Sequence, residues 1–335
     1  MSGATMRAIV IRQCGGPETL ERAVIERPEP GPGEVLVRIS HAGVNPADWK
    51  AREGKLSHYF DYGFPFVLGF DLCGTVAALG PDTTRFSVGD TVFGTSQLGI
   101  GRNGSYAGFT TASEFMLAPL PENLGQAEAA GLPTAGTTAY GGLIDVGRLE
   151  SGQTVLINGG AGGVGSLAIQ IAKTTGARVA ATCSAANLDF VRKRGAERAV
   201  DYAGEDVVEA VRRWAPGGVD LVLDAVGQDT LLPHALDIVK PGGRYVEIET
   251  LLSHASAEQT EAARDKGVEI LSNMVAIANL PRHLGGLADM IAEGSVEPPP
   301  TRIVPLDEVA DAHREIEAGH VRGKIVLEIG SAEGW

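Results

Sequence analysis

Cysteine is scarce. There are three in 335 residues, Cys14, Cys73 and Cys183, far apart and without any Cys-x-x-Cys pair. Neither a disulfide framework nor a four-thiolate zinc site can be assembled from that set, and buried free thiols are expected. Basic residues are also in deficit: 28 Lys and Arg stand against 42 Asp and Glu, a formal net charge of −14. That balance repels a phosphate backbone and an anionic membrane surface alike, so neither nucleic acid nor membrane is expected as a partner. No apolar run approaches the roughly 18 residues needed to span a bilayer, and Arg7 to Arg12 reads as a strand rather than the core of a signal peptide. A soluble, cytoplasmic chain is the expectation.

Glycine, by contrast, is abundant, with 45 residues, about twice average usage. Hydrophobic residues make up 44% and aromatics only 5%, which suits an Ala/Val/Gly-rich α/β enzyme. At roughly 150 residues per domain the length suggests two domains.

Two textures run along the chain. Up to about Gly125 the strands are short and punctuated by turns: Glu34 to Ser40, Gly74 to Leu79, Asp90 to Phe93, then Ser105 to Leu117. This spacing predicts a compact antiparallel, barrel-like unit. From about Gln126 apolar strands alternate with Ala-rich helical segments: Thr154 to Asn158, Arg178 to Cys183, Ala199 to Tyr202, Asp220 to Asp224, Arg244 to Glu249 and Val268 to Ser272. Such alternation predicts a parallel, doubly wound sheet covered on both faces. After about Val275 come a helix (Leu280 to Ala292), a Pro298–Pro300 linker, a helix (Leu306 to Glu317) and a last strand (Lys324 to Ile329). The expected division is 1–125 with 276–335 as one domain and 126–275 as the other.

The strand ending at Asn158 runs into Gly159-Gly160-Ala-Gly162-Gly163-Val164-Gly165 and then a helix. Gly160, Gly162 and Gly165 match G-x-G-x-x-G, in which glycines permit the turn, the approach of backbone to pyrophosphate and close helix–strand packing. A dinucleotide is expected at the helix N-terminus. The second strand ends in Ser184-Ala-Ala-Asn187 with no carboxylate before Asp189, and Arg192, Lys193 and Arg194 lie beyond. Absence of a ribose-binding acid predicts NADPH, with NADH accepted less well; Ser184 and Asn187 are the candidate 2′-phosphate donors, and Ser184 also reads as a helix N-cap.

The chain resembles the medium-chain dehydrogenase/reductase superfamily, and within it the zinc-independent quinone oxidoreductase and alkenal reductase branch. Gly43-Val-Asn-Pro-Ala-Asp-Trp-Lys50, Gly69-Phe-Asp71, Gly131 to Tyr140, Asn158 to Gly165, Val200-Asp-Tyr202, Lys240-Pro-Gly-Gly243 and Gly319 to Val326 carry the likeness in the family's order. It implies a GroES-like antiparallel β-barrel catalytic domain with a Rossmann domain. In the zinc alcohol dehydrogenases the positions matching Asn45 and Phe70 are a Cys and a His ligand. Neither Asn nor Phe replaces them as a zinc ligand, so no metal is expected.

Hydride delivery without a metal suits an acceptor that is already electrophilic, a quinone or an α,β-unsaturated carbonyl. The resemblance implies that Asn45 and Thr138 face the nicotinamide end and that Lys50 lies by the acceptor's oxygen, as an electrophilic donor or simply a surface residue. It places Tyr59 and Tyr62 near a proton-donor tyrosine of enoyl-thioester reductases, where aromatics also wall substrate clefts. Tyr202, Val226, Gly227 and Lys324 carry over as cofactor-lining positions. Asp48 and Asp71 match structural, capping positions. Relatives often hold a Lys where Ala186 or Asn187 stands here. The alternatives are an enoyl-thioester or biosynthetic-intermediate reductase and a non-catalytic NADPH-binding structural or regulatory protein. The edge at Val268 to Ser272 is the expected route to a homodimer.

Overall fold

The structure, a computed structural model, describes residues 4–59, 61–96, 103–227, 231, 234–248, 255–273, 279–319 and 321–330. The first strands are β1 (Thr5–Ile11), β2 (Glu21–Glu26), β3 (Glu34–Val44), β4 (Phe66–Val67), β5 (Asp71–Leu79), β6 (Thr91–Thr95), β7 (Phe109–Ser113) and β8 (Leu117–Pro119). They are followed by β9 (Thr154–Asn158), β10 (Arg178–Cys183), β11 (Arg198–Asp201), β12 (Val219–Asp224), β13 (Val239–Glu247) and β14 (Glu269–Ser272). Two more, β15 (Thr301–Pro305) and β16 (Lys324–Glu328), close the described strands. Helices used below are α1 (Pro46–Arg52), α2 (Gln126–Ala130), α3 (Pro133–Tyr140) and α4 (Gly163–Thr174).

The chain forms two compact units, one of residues 1–134, 280–292 and 298–335, the other of 135–279 and 293–297. The first boundary thus falls inside α3, later than residue 125. The texture change at Gln126 marks the short helix α2, which packs on β3 and β5 and so stays with the first unit. The other sequence boundary, 275/276, lies outside the described residues.

In the first unit, sheet order is β15-β16-β3-β5-β6-β8, with β7 also on β3, beside a smaller β2-β1-β4 sheet. Its pairs are antiparallel except β15 with β16. β3 is long enough to be shared: Glu34 to Arg38 pair with β7, while His41 to Val44 pair with β16. Between them Val35, Val37 and Ile39 enter the core with Leu72, Val76, Val92 and Phe93.

A buried tie fastens α1 to the helix Val309–Glu317. Arg52, fully buried, donates to Glu317 Oε1 (2.6 Å) and Gly15 O (2.8 Å), and its Nη1 lies 3.2 Å from His313 Nδ1. Burial and this guanidinium push His313 down to about 3, so the imidazole is neutral.

The second unit is a six-stranded parallel sheet in the order β11-β10-β9-β12-β13-β14. Its central strands are almost wholly buried, the continuous apolar pattern a two-sided sheet requires. Leu156, Ala180, Val222 and Tyr245 pack with Val211 and Ala235 on one face. β14 is the edge strand. The strand read as far as Glu249 is seen to Glu247, and residue 249 lies outside the described residues.

Candidate active site

Strand order reverses between β9 and β12, and an open parallel sheet offers its ligand crevice just past the strand ends at such a point. There β9 runs through Gly159 to Gly162 into α4, whose first-turn amides, on Gly163, Val164 and Gly165, have no carbonyl one turn back. Two glycines are demanded by the protein itself. A Cβ on Gly165 would lie 2.1 Å from Gly159 O, and one on Gly160 would lie 2.9 Å from Ala181 Cβ. Gly162 differs: its Cβ would meet nothing nearer than Gly159 O at 3.6 Å. The first two hold helix on strand, and the third leaves open the face on which amides point outward. This arrangement fits a dinucleotide pyrophosphate.

Beneath the loop lies a buried polar chain that the sequence reading did not single out. Asn158 Nδ2 donates to Asp224 Oδ1 (2.8 Å), and its Oδ1 accepts from Thr182 Oγ1 (2.6 Å), which itself accepts from Gly159 N (3.0 Å). Asp224 also receives the Tyr245 hydroxyl and the amides of Val226 and Gly227, each amide at 3.0 Å. Four neighbouring strands are thereby joined at their ends. The legible signal was a polar residue at or next to the end of three mostly apolar strands: Asn158 ends β9, Asp224 ends β12 and Thr182 is the last residue but one of β10.

Five other cofactor candidates of this unit, Ser184, Asn187, Tyr202, Val226 and Gly227, also fall past strand ends. Ser184 and Asn187 follow β10 and bond each other, Asn187 Nδ2 to Ser184 Oγ at 3.0 Å; neither side chain caps the helical turn there. Tyr202, after β11, and Val226, after β12, are exposed at 55% and 40%. Gly227 takes φ +70°. Thr138 is half-buried in α3, its carbonyl accepting from Asn273 Nδ2 (2.9 Å). Arg192 is paired with Asp189 (3.1 Å) and Arg194 with Glu297 (2.9 Å).

The first unit holds its own polar cluster at one end of β16, β3 and β5. Register sets Ile325 opposite Val44 and Gly43 opposite Asp71, which brings Lys324, Asn45 and Asp71 together. Asn45 Nδ2 donates to Asp71 Oδ2 (2.9 Å), and Lys324 Nζ donates to Asn45 Oδ1 and to Val44 O (3.0 Å). Asp71 Oδ1 accepts from Thr134 N (3.0 Å) and Oγ1 (2.6 Å). Asp48 caps α1 by accepting from Asn45 N (2.7 Å) and also takes Phe70 N (3.1 Å), the structural duty expected of it. All four side chains are at most 5% exposed. Burial pushes Asp48 up to about 7 against two backbone donors, raises Asp71 against Lys324, and lowers Lys324 against both carboxylates.

Gly43 and Gly131 make room for this cluster. A Cβ at 43 would sit 2.3 Å from Ala130 O and 3.0 Å from Asp71 Cβ, and one at 131 would sit 3.3 Å from Lys324 Cβ.

Lys50 is 3% exposed, in the last turn of α1, with Nζ 5.5 Å from the Trp49 ring centre. It is therefore a buried helix residue and not a surface one. Tyr62 donates to Ala51 O (2.6 Å), and burial pushes its phenol up to about 12, which makes it a weak acid. Tyr59 is 46% exposed. A zinc ion does not fit here. Phe70 offers no donor, and the Asn45 amide is committed on both sides, with an ammonium on its oxygen.

Sequence comparison agrees with this architecture. Residues 31–122 match the alcohol dehydrogenase GroES-like domain and residues 194–327 the zinc-binding dehydrogenase domain. The chain is 33% identical over 331 residues to the chloroplastic NADPH-dependent alkenal/one oxidoreductase of Arabidopsis thaliana, covering 96% of this chain and 79% of that one. A solved quinone oxidoreductase from Coxiella burnetii superposes with a TM-score of 0.85 at 33% identity, covering 97% of this chain and 99% of the other. The chain is also 34% identical over 330 residues to a mycocerosic acid synthase-like polyketide synthase of Mycobacterium tuberculosis, covering 95% of this chain but spanning only 15% of that protein's length.

An NAD(P)H-dependent oxidoreductase is the class that a GroES-like domain with a parallel dinucleotide-binding sheet defines. The chain belongs to the medium-chain dehydrogenase/reductase superfamily, among its quinone oxidoreductases and alkenal reductases.

Proposed function

We propose that this chain is an NADPH-dependent reductase of quinones or α,β-unsaturated carbonyls. One observation carries the reading: where zinc relatives would hold a Lewis acid, this chain has the Asn45 amide, locked between Asp71 and Lys324, beside Phe70. Such a site suits an acceptor whose oxygen takes up charge by itself. The cofactor supplies the hydride; the protein holds it, positions the acceptor and offers hydrogen-bond donors.

Within this reading Gly160, Gly162, Gly163, Val164 and Gly165 cradle the pyrophosphate, and Tyr202, Val226 and Gly227 line the same strand ends. Ser184 and Asn187 meet the 2′-phosphate. Thr138 and Asn45 serve the nicotinamide end. Lys50 is a further donor, and Tyr59 serves as a wall or proton source more readily than Tyr62. Val268 to Ser272 pairs with its mate in a homodimer, which light scattering tests. NADPH consumption over a panel of benzoquinones and enones tests the activity. Binding without turnover of any acceptor would support a non-catalytic protein instead.

A second reading, an enoyl-thioester reductase, is supported by the 34% identity to part of a polyketide synthase. An acyl thioester in the same panel, turned over with a kcat/KM well above that of every quinone, would favour it.

A further inference from the structure

The buried cluster in the first unit has two hydrogen-bond donors left over. Asn45 has two N–H groups, and Asp71 takes one. Lys324 has three, of which Val44 O and Asn45 Oδ1 take two. No further acceptor for Asn45 or Lys324 is found among the described residues, although the two are only 2% and 5% exposed. A buried donor without a partner is costly, so such groups are kept where a ligand completes them.

The orientation of the amide is not free. A carboxylate accepts only, and an ammonium donates only, so Asp71 must face Nδ2 and Lys324 must face Oδ1. Exchange of the two amide ends would put an N–H against the ammonium and an oxygen against the carboxylate. The plane of Asn45 is therefore fixed, and with it the direction of the second N–H. An ammonium on the amide oxygen also draws charge from the nitrogen and strengthens that remaining donor.

We propose that Lys324 is a positioning residue for hydride transfer: it turns and polarises the Asn45 amide so that its second N–H receives the oxygen of the acceptor. This deepens the reductase reading and rests on it. It also assigns Lys324 a duty different from lining the cofactor. An acceptor whose oxygen gains negative charge during reduction would be held more tightly as the reaction proceeds, which raises kcat more than it lowers KM.

The test compares wild type with Lys324→Met and Lys324→Arg by three readouts. These are NADPH dissociation constants from cofactor fluorescence, steady-state rates with a benzoquinone and with 3-penten-2-one at saturating NADPH, and side-chain amide hydrogen exchange of Asn45 by 15N NMR in cofactor-free protein. Asn45→Leu identifies the NMR signal. With Lys324→Met, kcat is expected to fall about tenfold or more, equal to about 1.4 kcal/mol or more in the barrier. NADPH affinity stays within about threefold, and the Asn45 amide exchanges faster. Lys324→Arg keeps the charge of the cluster but alters its reach; it recovers part of the rate and stands in if the Met variant does not fold.

A Kd for NADPH raised tenfold with kcat at saturation unchanged would make Lys324 a cofactor ligand and overturn the proposal. Amide exchange as slow in the variant as in wild type overturns it as well. If wild type reduces neither acceptor, the reductase reading fails by itself, and the amide exchange alone decides whether Lys324 orients Asn45.

Discussion

Asn158 Nδ2 meets Asp224 Oδ1 at 2.8 Å across the strand pair where the order of the parallel sheet reverses. Because Asp224 also accepts from Tyr245 and from the amides of Val226 and Gly227, one carboxylate shapes the loop past β12 and braces the glycine loop past β9. Asp224→Ala removes the carboxylate that four donors share and is expected to cost about 3 kcal/mol or more. Asp224→Asn, which keeps one oxygen, is expected to cost about 1–3 kcal/mol. Urea unfolding measures both, and a loss below ~0.5 kcal/mol in the Ala variant would show that the network carries little of the fold.

The two glycines of the cradle separate fold from binding. Gly165→Val drives a side chain into Gly159 O, which a Cβ would approach at 2.1 Å, and is expected to destabilise by on the order of 3 kcal/mol. Gly162→Val has room within the protein, so it should keep its melting temperature within a few degrees while losing NADPH binding. Equal loss of stability in both variants, or intact binding in Gly162→Val, would contradict this division.

Cofactor preference should be modest. Arg192 and Arg194 are already paired with Asp189 and Glu297, which leaves Ser184 and Asn187 as neutral donors. A neutral hydrogen bond contributes about 0.5–1.5 kcal/mol net, so NADPH is expected to be preferred over NADH by on the order of tenfold in kcat/KM. Ser184→Asp should invert the preference by repelling the 2′-phosphate. An unchanged ratio in that variant would place discrimination elsewhere.

Burial of Asp48 makes stability depend on pH in a defined direction. Burial pushes its carboxyl up from the ordinary 3.8 of a solvated aspartate to about 7, so between these pH values the folded chain binds more protons than the unfolded one. This contribution is present in full below pH 4 and is lost as pH rises toward 7. The groups facing it are Asp71, which opposes ionisation, Lys324 and the Asn45 and Phe70 amides, which favour it, and the buried Tyr106 phenol, which hydrogen-bonds with it. Asp48→Asn, neutral throughout, should flatten the fall in melting temperature between pH 5 and 7.5. Parallel profiles for the two proteins would mean that Asp48 is ionised across the whole range.

Much of the second unit was legible because its signals are local. Val155 to Ile157 and Val179 to Ala181 are apolar runs flanked by polar residues, and the strands seen there have the limits read from the sequence, Thr154–Asn158 and Arg178–Cys183. β2 and β15 escaped notice: the first is exposed at alternate residues, and the second follows three prolines with little buried surface. The family pattern drew attention to Asn45 and Lys324 separately. Their meeting depends on β16 pairing with β3, a relationship between segments about 280 residues apart that no local periodicity encodes. Tyr62 was attractive as an acid by position alone; the carbonyl of Ala51, which occupies its hydroxyl, follows from how the chain after α1 folds back.

The sharing of β3 between β7 and β16 has a consequence for biosynthesis. A ribosome delivers the Rossmann strands β9 to β14 before β16, so the inserted sheet can be complete while the His41–Val44 half of β3 still lacks one neighbour. Until residue 324 emerges, that half-strand presents unpaired backbone groups to other chains, and Asp71 has no ammonium nearby. A nascent chain stalled in this interval is expected to be prone to aggregation, and the arrival of a single late strand both seals the edge and completes the polar cluster.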